Sequence, residues 1–277
     1  MKRIFIAGNP EKPGCREAVR RITDHLKNRA VIAGTDLSRA VSLPKGHIDL
    51  AISLGGDGTF MNLAHQVAER DLPIMGINFG RLGFLTTGMA ADLEALLDAY
   101  LEGRTEEISR MLLEVEVPGG SPRSLALNDV VVCSSDLTRV FTLRALTSLG
   151  LLFEMRGDGL IIATPTGSTA HSLAMGGALV DPRLEALQLT PMGAQSMSSR
   201  PIVVHPEELI EVEISYGTPG AYVLADGRRL ALLKERQRVR VCRSVKKFRM
   251  VQLKDFQFFH RLREKLGWNL NPMAREG

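Results

Sequence analysis

Hydrophobic positions along the first hundred residues switch between two spacings. Residues 3–7 and 48–54 are short, mostly apolar runs, and residues 73–77 form a third. Between them Val19, Ile22 and Leu26 share a helical face, as do Leu63, Ala64 and Val67, and Leu93, Leu96, Leu97 and Tyr100 mark a last helix closing near Gly103. Short apolar runs bounded by turn residues read as buried strands, and spacings of three and four read as helices. Strands separated by helices predict an α/β unit, a Rossmann-like parallel sheet with helices on its faces.

The pattern then changes. Met111, Leu113, Val115 and Val117 alternate with Glu114 and Glu116, and residues 118–122 (Pro-Gly-Gly-Ser-Pro) make a turn. Further strands are expected at 125–133, 140–146, 151–155, 160–163, 201–204, 209–215, 221–224, 238–242 and 248–253, with one helix beginning near Ser168. Many short strands with turn signals predict an all-β, sandwich-like C-terminal domain. Residues 256–266 regain helical spacing, a C-terminal helix expected to return to the first domain. The predicted division is therefore 1–104 with 256–277 for the α/β domain, and 105–255 for the β-rich one.

Composition narrows the class. A chain of 277 residues that is 44% hydrophobic is globular, with one large or two ordinary domains. Cys15, Cys133 and Cys242 lie far apart and leave an odd number, so neither a disulfide framework nor a zinc site is indicated. The six histidines are scattered, and no resident metal is expected. The start has no signal-peptide pattern, which predicts a cytoplasmic protein. The net charge is +4, yet residues 234–265 hold twelve Lys or Arg against three Asp or Glu. Arg238 and Arg240 alternate with Val239 and Val241 as on a strand with one solvated face, and no nucleic-acid motif accompanies them, so no nucleic-acid partner is expected. No basic amphipathic helix suggests a membrane.

Candidate chemistry concentrates after the second strand, where Gly55, Gly56, Asp57, Gly58 and Thr59 lead into a helix. Such a turn offers backbone N–H groups to a polyphosphate, at the strand end where ligands of parallel sheets bind. A carboxylate there is repelled by phosphates. It can either hold a metal bound to them or accept the proton of the hydroxyl that attacks them. The plain alternative is a tight strand-to-helix turn with Asp57 near an N-cap. Gly-x-x-x-x-Gly-Lys-Ser/Thr, Gly-x-Gly-x-x-Gly after a strand, and the protein-kinase motif set are missing. Other cradles are residues 76–84, 157–159 and 164–170, the last dense in hydroxyls and ending at an expected helix start, with Ser168 as a simple N-cap the competing reading.

In order, these motifs resemble the NAD kinase family, whose superfamily includes diacylglycerol and sphingosine kinases. The resemblance spans nearly the whole chain: Gly8-Asn9-Pro10, the turn at 55–59, 78–86, Asn128-Asp129, Asp158-Gly159, 164–170, Gly176-Gly177, 198–201, Asp226-Gly227 and 258–268. It implies transfer of a phosphoryl group from ATP, or in some members polyphosphate, to the 2′-hydroxyl of the adenosine ribose of NAD, with magnesium carried by ATP. Asp57 resembles the family's catalytic Asp, and Gly55, Gly56, Gly58 and Thr59 its phosphate-binding turn. Asn128 matches the Asn that binds adenine, and Asp129 stands where a Glu binds ribose hydroxyls. Thr169 and Ala170 match adenine-side contacts, and Asp158 and Asp226 match residues nearer the ribose and nicotinamide. Arg156, Thr166, His171 and Ser172 complete the implied binding set. Neighbouring subunits complete the site in the family, so a homodimer or homotetramer is implied.

Three positions depart from the family pattern. Asp129 is one methylene shorter than Glu, His171 replaces a common Tyr, and Gln195 stands where His is common. These read as tuning of NAD recognition. The rival readings are a lipid kinase of the same superfamily, which leaves residues 164–170 unexplained, and a non-catalytic NAD(P)-binding regulator.

Overall fold

The apolar runs become strands of a parallel sheet, seen in a computed structural model that describes residues 1–38, 40–80, 83–119, 123–136, 138–139, 141–254 and 258–267. Arg81, Leu82, residues 120–122, Val140, Phe256 and Trp268, named within segments above, lie outside the described residues. The chain divides into two units, Met1–Ile108 with Arg249–Gly277, and Ser109–Phe248.

In the first unit β1 (Lys2–Gly8), α1 (Cys15–His25), β2 (Ala30–Asp36), β3 (Leu50–Leu54), α2 (Asp57–Glu69), β4 (Ile74–Asn78), the two-residue β5 (Gly88–Met89) and α3 (Leu93–Leu101) follow in order. The sheet order is β4-β3-β1-β2, all parallel. Side chains alternate across it. Ile4, Ile6, Leu50, Ile52, Leu54, Met75 and Ile77 pack against Ala18 and Ile22 of α1 and Leu93 and Leu97 of α3. Gly76 faces the opposite way, where an added Cβ would come within 2.9 Å of Phe60 of α2. Both faces are thus covered by helices, which is why β3 and β4 are buried throughout. Strand β2 was not expected from the sequence. It lies at the sheet edge with mostly half-exposed residues, and its apolar stretch, Ala30–Ala33, is only four residues long before Gly34.

The second unit contains β6 (Thr105–Glu116, from Ser109 onward), β7 (Ser124–Ala126), β8 (Asp129–Ser134), β9 (Phe141–Thr147), β10 (Gly150–Gly157), β11 (Gly159–Ala163), α4 (His171–Ala174), β12 (Leu187–Met192), β13 (Ile202–Val204), β14 (Ile210–Ile214), β15 (Ala221–Ala225), β16 (Arg228–Leu233) and most of β17 (Arg238–Leu253). One antiparallel sheet runs β10-β9-β14-β17, with β6 and β7 alongside, and the other runs β13-β12-β11-β8-β15-β16. Phe141, Leu143, Val212 and Val239 of the first share a core with Val130, Val132, Leu160, Ile162, Leu187 and Val223 of the second. This is the expected sandwich. Several details differ from the sequence reading: β12 and β16 are strands it does not include, and the run 125–133 is split into β7 and β8. Residues 238–242 and 248–253 belong to a single strand, which runs unbroken through the polar stretch where apolar alternation lapses. The helix expected near Ser168 is a 3-10 turn, Gly167–Thr169, followed by the single turn of α4. Ser168 caps neither: its hydroxyl donates to the Pro165 carbonyl and accepts from Val180 N–H.

The basic stripe of β17 is paired with carboxylates. Arg238 bridges Glu211 and Glu213, Arg240 meets Glu211, and Arg243 and Lys247 meet Glu185.

The end of the chain rejoins the first unit. Met250 pairs in parallel with Ile74, and α5 (Phe258–Leu266) packs Phe258 against Phe84, ring centroids 6.5 Å apart. The Thr87 hydroxyl donates to the Val251 carbonyl at 2.7 Å and accepts the N–H of Gly76 at 3.2 Å. Replacing this buried hydroxyl by the isosteric Thr87→Val strands both partners, so thermal or urea denaturation is expected to show a loss of about 1–3 kcal/mol.

Candidate functional site

Parallel pairing decides where the glycine turn emerges. Gly8 is in register with Leu54, and Leu54 with Ile77, so β1, β3 and β4 end together. The loops that follow them bring Lys12, Gly56, Asp57, Asn78, Phe79, Gly80 and Gly83 around one cavity of about 360 Å³, with Lys265 of α5 on its wall. Gly56 is the N-cap of α2 and Asp57 its first residue. The first turn of this 13-residue helix presents N–H groups with no intrahelical acceptor.

Asp57 is held by main chain. Phe84 N–H donates to Oδ2 at 3.0 Å and Leu85 N–H to Oδ1 at 3.2 Å. The carboxylate lies so close over Gly83 that a Cβ there would sit 1.9 Å from Oδ1, so only glycine fits. Thr59 likewise folds onto Gly55, where a Cβ would be 2.3 Å from its hydroxyl. Gly58 is exposed and lies open. Among the residues lining the cavity Asp57 is the one carboxylate, against two lysines. Two cations and a helix N-terminus favour an anion with several charges. Among the described residues no three His, Cys, Asp or Glu gather as a metal-ligand set.

The second unit builds a separate cluster. The hairpin between β15 and β16 turns at Asp226 and Gly227, whose φ values are 46° and 77°, and this aims the Asp226 carboxylate at the break between β7 and β8. It accepts three successive N–H groups, from Leu127 at 2.7 Å, Asn128 at 2.8 Å and Asp129 at 3.1 Å. Asn128 is thereby fixed, half-buried, beside the segment that follows β11. The Thr164 N–H donates to the Asn128 carbonyl at 2.9 Å, and a Cβ on Gly167 would lie 2.0 Å from that same oxygen. Thr166 is buried and accepts at its carbonyl from the Thr169 hydroxyl. Thr169, Ala170 and His171 are half-buried. Asp129 is buried, and desolvation, with the like charge of Asp226 adding to it, pushes its pKa up to about 7.

The remaining named residues lie elsewhere in this unit. Ala163 pairs with Asp129, whereas Gly159 pairs with Cys133, so Asp158 and Arg156 flank the opposite end of β11, roughly 16 Å of strand away. Both are exposed. Asp158 packs over Gly193, where a Cβ would be 2.1 Å from Oδ2, and Gln195 N–H donates to the Arg156 carbonyl. Ser172 points inward, its hydroxyl 2.8 Å from that of Thr190 in β12. Lys12 and Lys265 were missed as site residues. Lys12 follows Gly8-Asn9-Pro10 at a strand end, which is a usable signal, whereas nothing in the spacing of α5 points Lys265 toward a turn two hundred residues earlier.

Comparison with known proteins shows what this arrangement is similar to. The chain matches the ATP-NAD kinase N-terminal domain over residues 14–105 and the ATP-NAD kinase C-terminal domain over residues 127–253. It is 34% identical over 279 residues to the NAD kinase of Heliobacterium modesticaldum, covering 96% of this chain and 99% of that one. It is 36% identical over 280 residues to the NAD kinase of Moorella thermoacetica, covering 96% and 89%. Among solved structures, an NAD kinase from Archaeoglobus fulgidus in complex with ATP is 27% identical with a TM-score of 0.77, covering 96% of this chain and 98% of that one. Yeast NADH kinase complexed with NADH, at 24% identity and a TM-score of 0.85 over 98% and 89%, shares the fold.

The burial of Asp129 makes stability depend on pH. Its folded pKa is raised above the unfolded value of about 3.9, so the folded chain keeps a proton that the unfolded chain releases. The stabilisation is present below pH ~4 and is lost as pH rises through about 7. Denaturation at pH 5 and pH 8 is expected to show a larger loss for the parent chain than for Asp129→Asn; equal losses would remove this account.

Proposed function

The chain belongs to the NAD kinase family, and we propose on that premise that Asp57 accepts the proton of the 2′-hydroxyl as NAD is phosphorylated. It is an enzyme that converts NAD to NADP with ATP. The observation that carries the role of Asp57 is its placement: a carboxylate pinned by two N–H groups at a helix start, in a cavity otherwise walled by glycines, Asn78, Phe79 and two lysines.

In the proposed step the 2′-oxygen of the adenosine ribose bonds to the γ-phosphorus of ATP. The bond from that phosphorus to the β–γ bridging oxygen breaks, ADP leaves, and the hydroxyl proton passes to Asp57. A ribose hydroxyl is scarcely ionised at neutral pH, so a positioned base contributes roughly 10²–10⁴ in rate. Phosphoryl transfer leaves the protein mainly positioning and charge neutralisation. Gly55, Gly56, Gly58 and Thr59 supply the turn and N–H groups for the phosphates, and Lys12 and Lys265 supply positive charge. ATP brings its own magnesium, bound by phosphates and water.

NAD recognition falls to the second unit. Asn128 addresses the adenine, with Thr166, Thr169, Ala170 and His171 beside it; Asp129 and Asp226 stand at the ribose side, and Ser172 holds the segment from behind. Arg156 and Asp158 lie at the far end of β11, and this separation supports their serving a site completed by a neighbouring copy, in a homodimer or homotetramer. Among the described residues no helix is long and apolar enough to cross a membrane, and the three cysteines are free thiols; the proposed location is the cytoplasm. The family match argues against the lipid kinase.

Asp57→Asn is expected to lower kcat by roughly 10²–10⁴ while NAD still binds by calorimetry; an undiminished rate of NADP formation in a folded variant would sink the role given to Asp57. Lys265→Ala is expected to raise the KM for ATP roughly tenfold, the scale of one lost charge-assisted hydrogen bond, with the KM for NAD little changed. Purified chain that binds NAD yet forms no 2′-phosphorylated product from ATP and magnesium would instead make it a regulator.

A further inference from the structure

We propose that Arg261 of α5 is a positioning residue for Asp57, acting through the backbone of the segment between them; this rests on Asp57 being the base. Arg261 is buried, with 6% of its surface exposed. Its guanidinium donates to the carbonyls of Gly83 at 2.6 Å, of Thr86 at 2.5 Å and of Thr87 at 3.4 Å. The N–H groups that hold Asp57 come from Phe84 and Leu85. The segment therefore presents its carbonyls to a cation on one side and its N–H groups to a carboxylate on the other.

One peptide unit does both. The carbonyl of Gly83 and the N–H of Phe84 belong to the same amide, so a guanidinium N–H, a peptide group and the Asp57 Oδ2 form a single hydrogen-bonded chain. Bonding at one end of an amide polarises it and strengthens the bond at the other. The opposite charges of Arg261 and Asp57 also act on each other directly, and this attraction opposes the desolvation that lowers the guanidinium pKa to about 10. An ion pair is thus transmitted across a backbone amide.

The rest of α5 holds the segment in the same place. Phe258 packs on Phe84, and the Lys265 ammonium lies 5.5 Å from the centre of the Phe84 ring. Residues 258, 261, 262 and 265 fall on one helical face. Arginine suits the task because its planar fork reaches several carbonyls while remaining charged; a lysine presents one compact charge. The function assigned to Arg261 is to hold the Asp57 oxygens in the orientation in which one can take the hydroxyl proton, with no contact to either substrate.

The test is steady-state kinetics of Arg261→Met and Arg261→Lys against the parent chain, with the folded fraction measured by near-UV circular dichroism. A misplacement of about 1 Å in a reacting group costs up to 10²-fold. Arg261→Met is therefore expected to lose roughly tenfold to a hundredfold in kcat per folded molecule with the KM for ATP and for NAD unchanged, and Arg261→Lys to recover part of the loss. A purely structural role would reduce the folded fraction and leave kcat per folded molecule intact, and that result overturns the proposal. So does a rise in either KM that accounts for the whole loss. If Arg261→Met does not fold, Arg261→Lys is judged by the same split between kcat and KM. Absence of NADP formation by the parent chain would count against the functional reading instead.

Discussion

A carboxylate held by main-chain N–H groups is the constraint from which the first unit's site is built. Asp57 sits at the N-terminus of α2, where the helix dipole favours a negative group, and Phe84 and Leu85 hold its two oxygens. This geometry dictates its neighbours. Gly83 must be glycine because the carboxylate occupies the space a side chain would need. The segment supplying the two N–H groups must itself be fixed, and Thr87 and Arg261 fix it from behind. The chain's last described helix is thus part of the machinery of its first sixty residues.

The second unit uses the same physical device for a different end. Asp226 accepts three consecutive N–H groups and so imposes the kink that separates β7 from β8. Asn128 sits at that kink. Its backbone is committed to Asp226 and Thr164, so its side chain is presented from a rigid position. A short aspartate at position 129 is buried next to this carboxylate, and the two compete for the low-dielectric space. Burial of Asp129 therefore sets the charge state of this cluster near neutral pH.

How much could be read in advance depended on burial. Strands β1, β3 and β4 are almost fully buried on both faces and announce themselves as apolar runs. Strand β12 was missed because Gln188 and Thr190 are polar yet buried, and Pro191 and Gly193 close the run like a turn. Strand β16 starts with two exposed arginines and has one fully buried residue, Leu233. The split of β17 failed for the opposite reason: the strand runs unbroken through Arg243–Lys247, where side-chain alternation lapses.

Sequence alone determined the residue types from which the candidate sites are built: the glycines and Asp57 at 55–59, Asn128, the hydroxyl-rich 164–170, and the alternation of strand and helix that puts a turn at a sheet's carboxyl edge. Each is a local property, set by backbone freedom, hydrogen-bonding capacity or periodicity over a few residues. Tertiary structure decided which of these meet. It brought Lys12, Gly83, Arg261 and Lys265 to Asp57, placed Asp226 under Asn128, and sent Arg156 and Asp158 to the other end of β11. Those outcomes depend on strand register and on the return of α5, contacts between residues tens to nearly two hundred positions apart, and no local period encodes them.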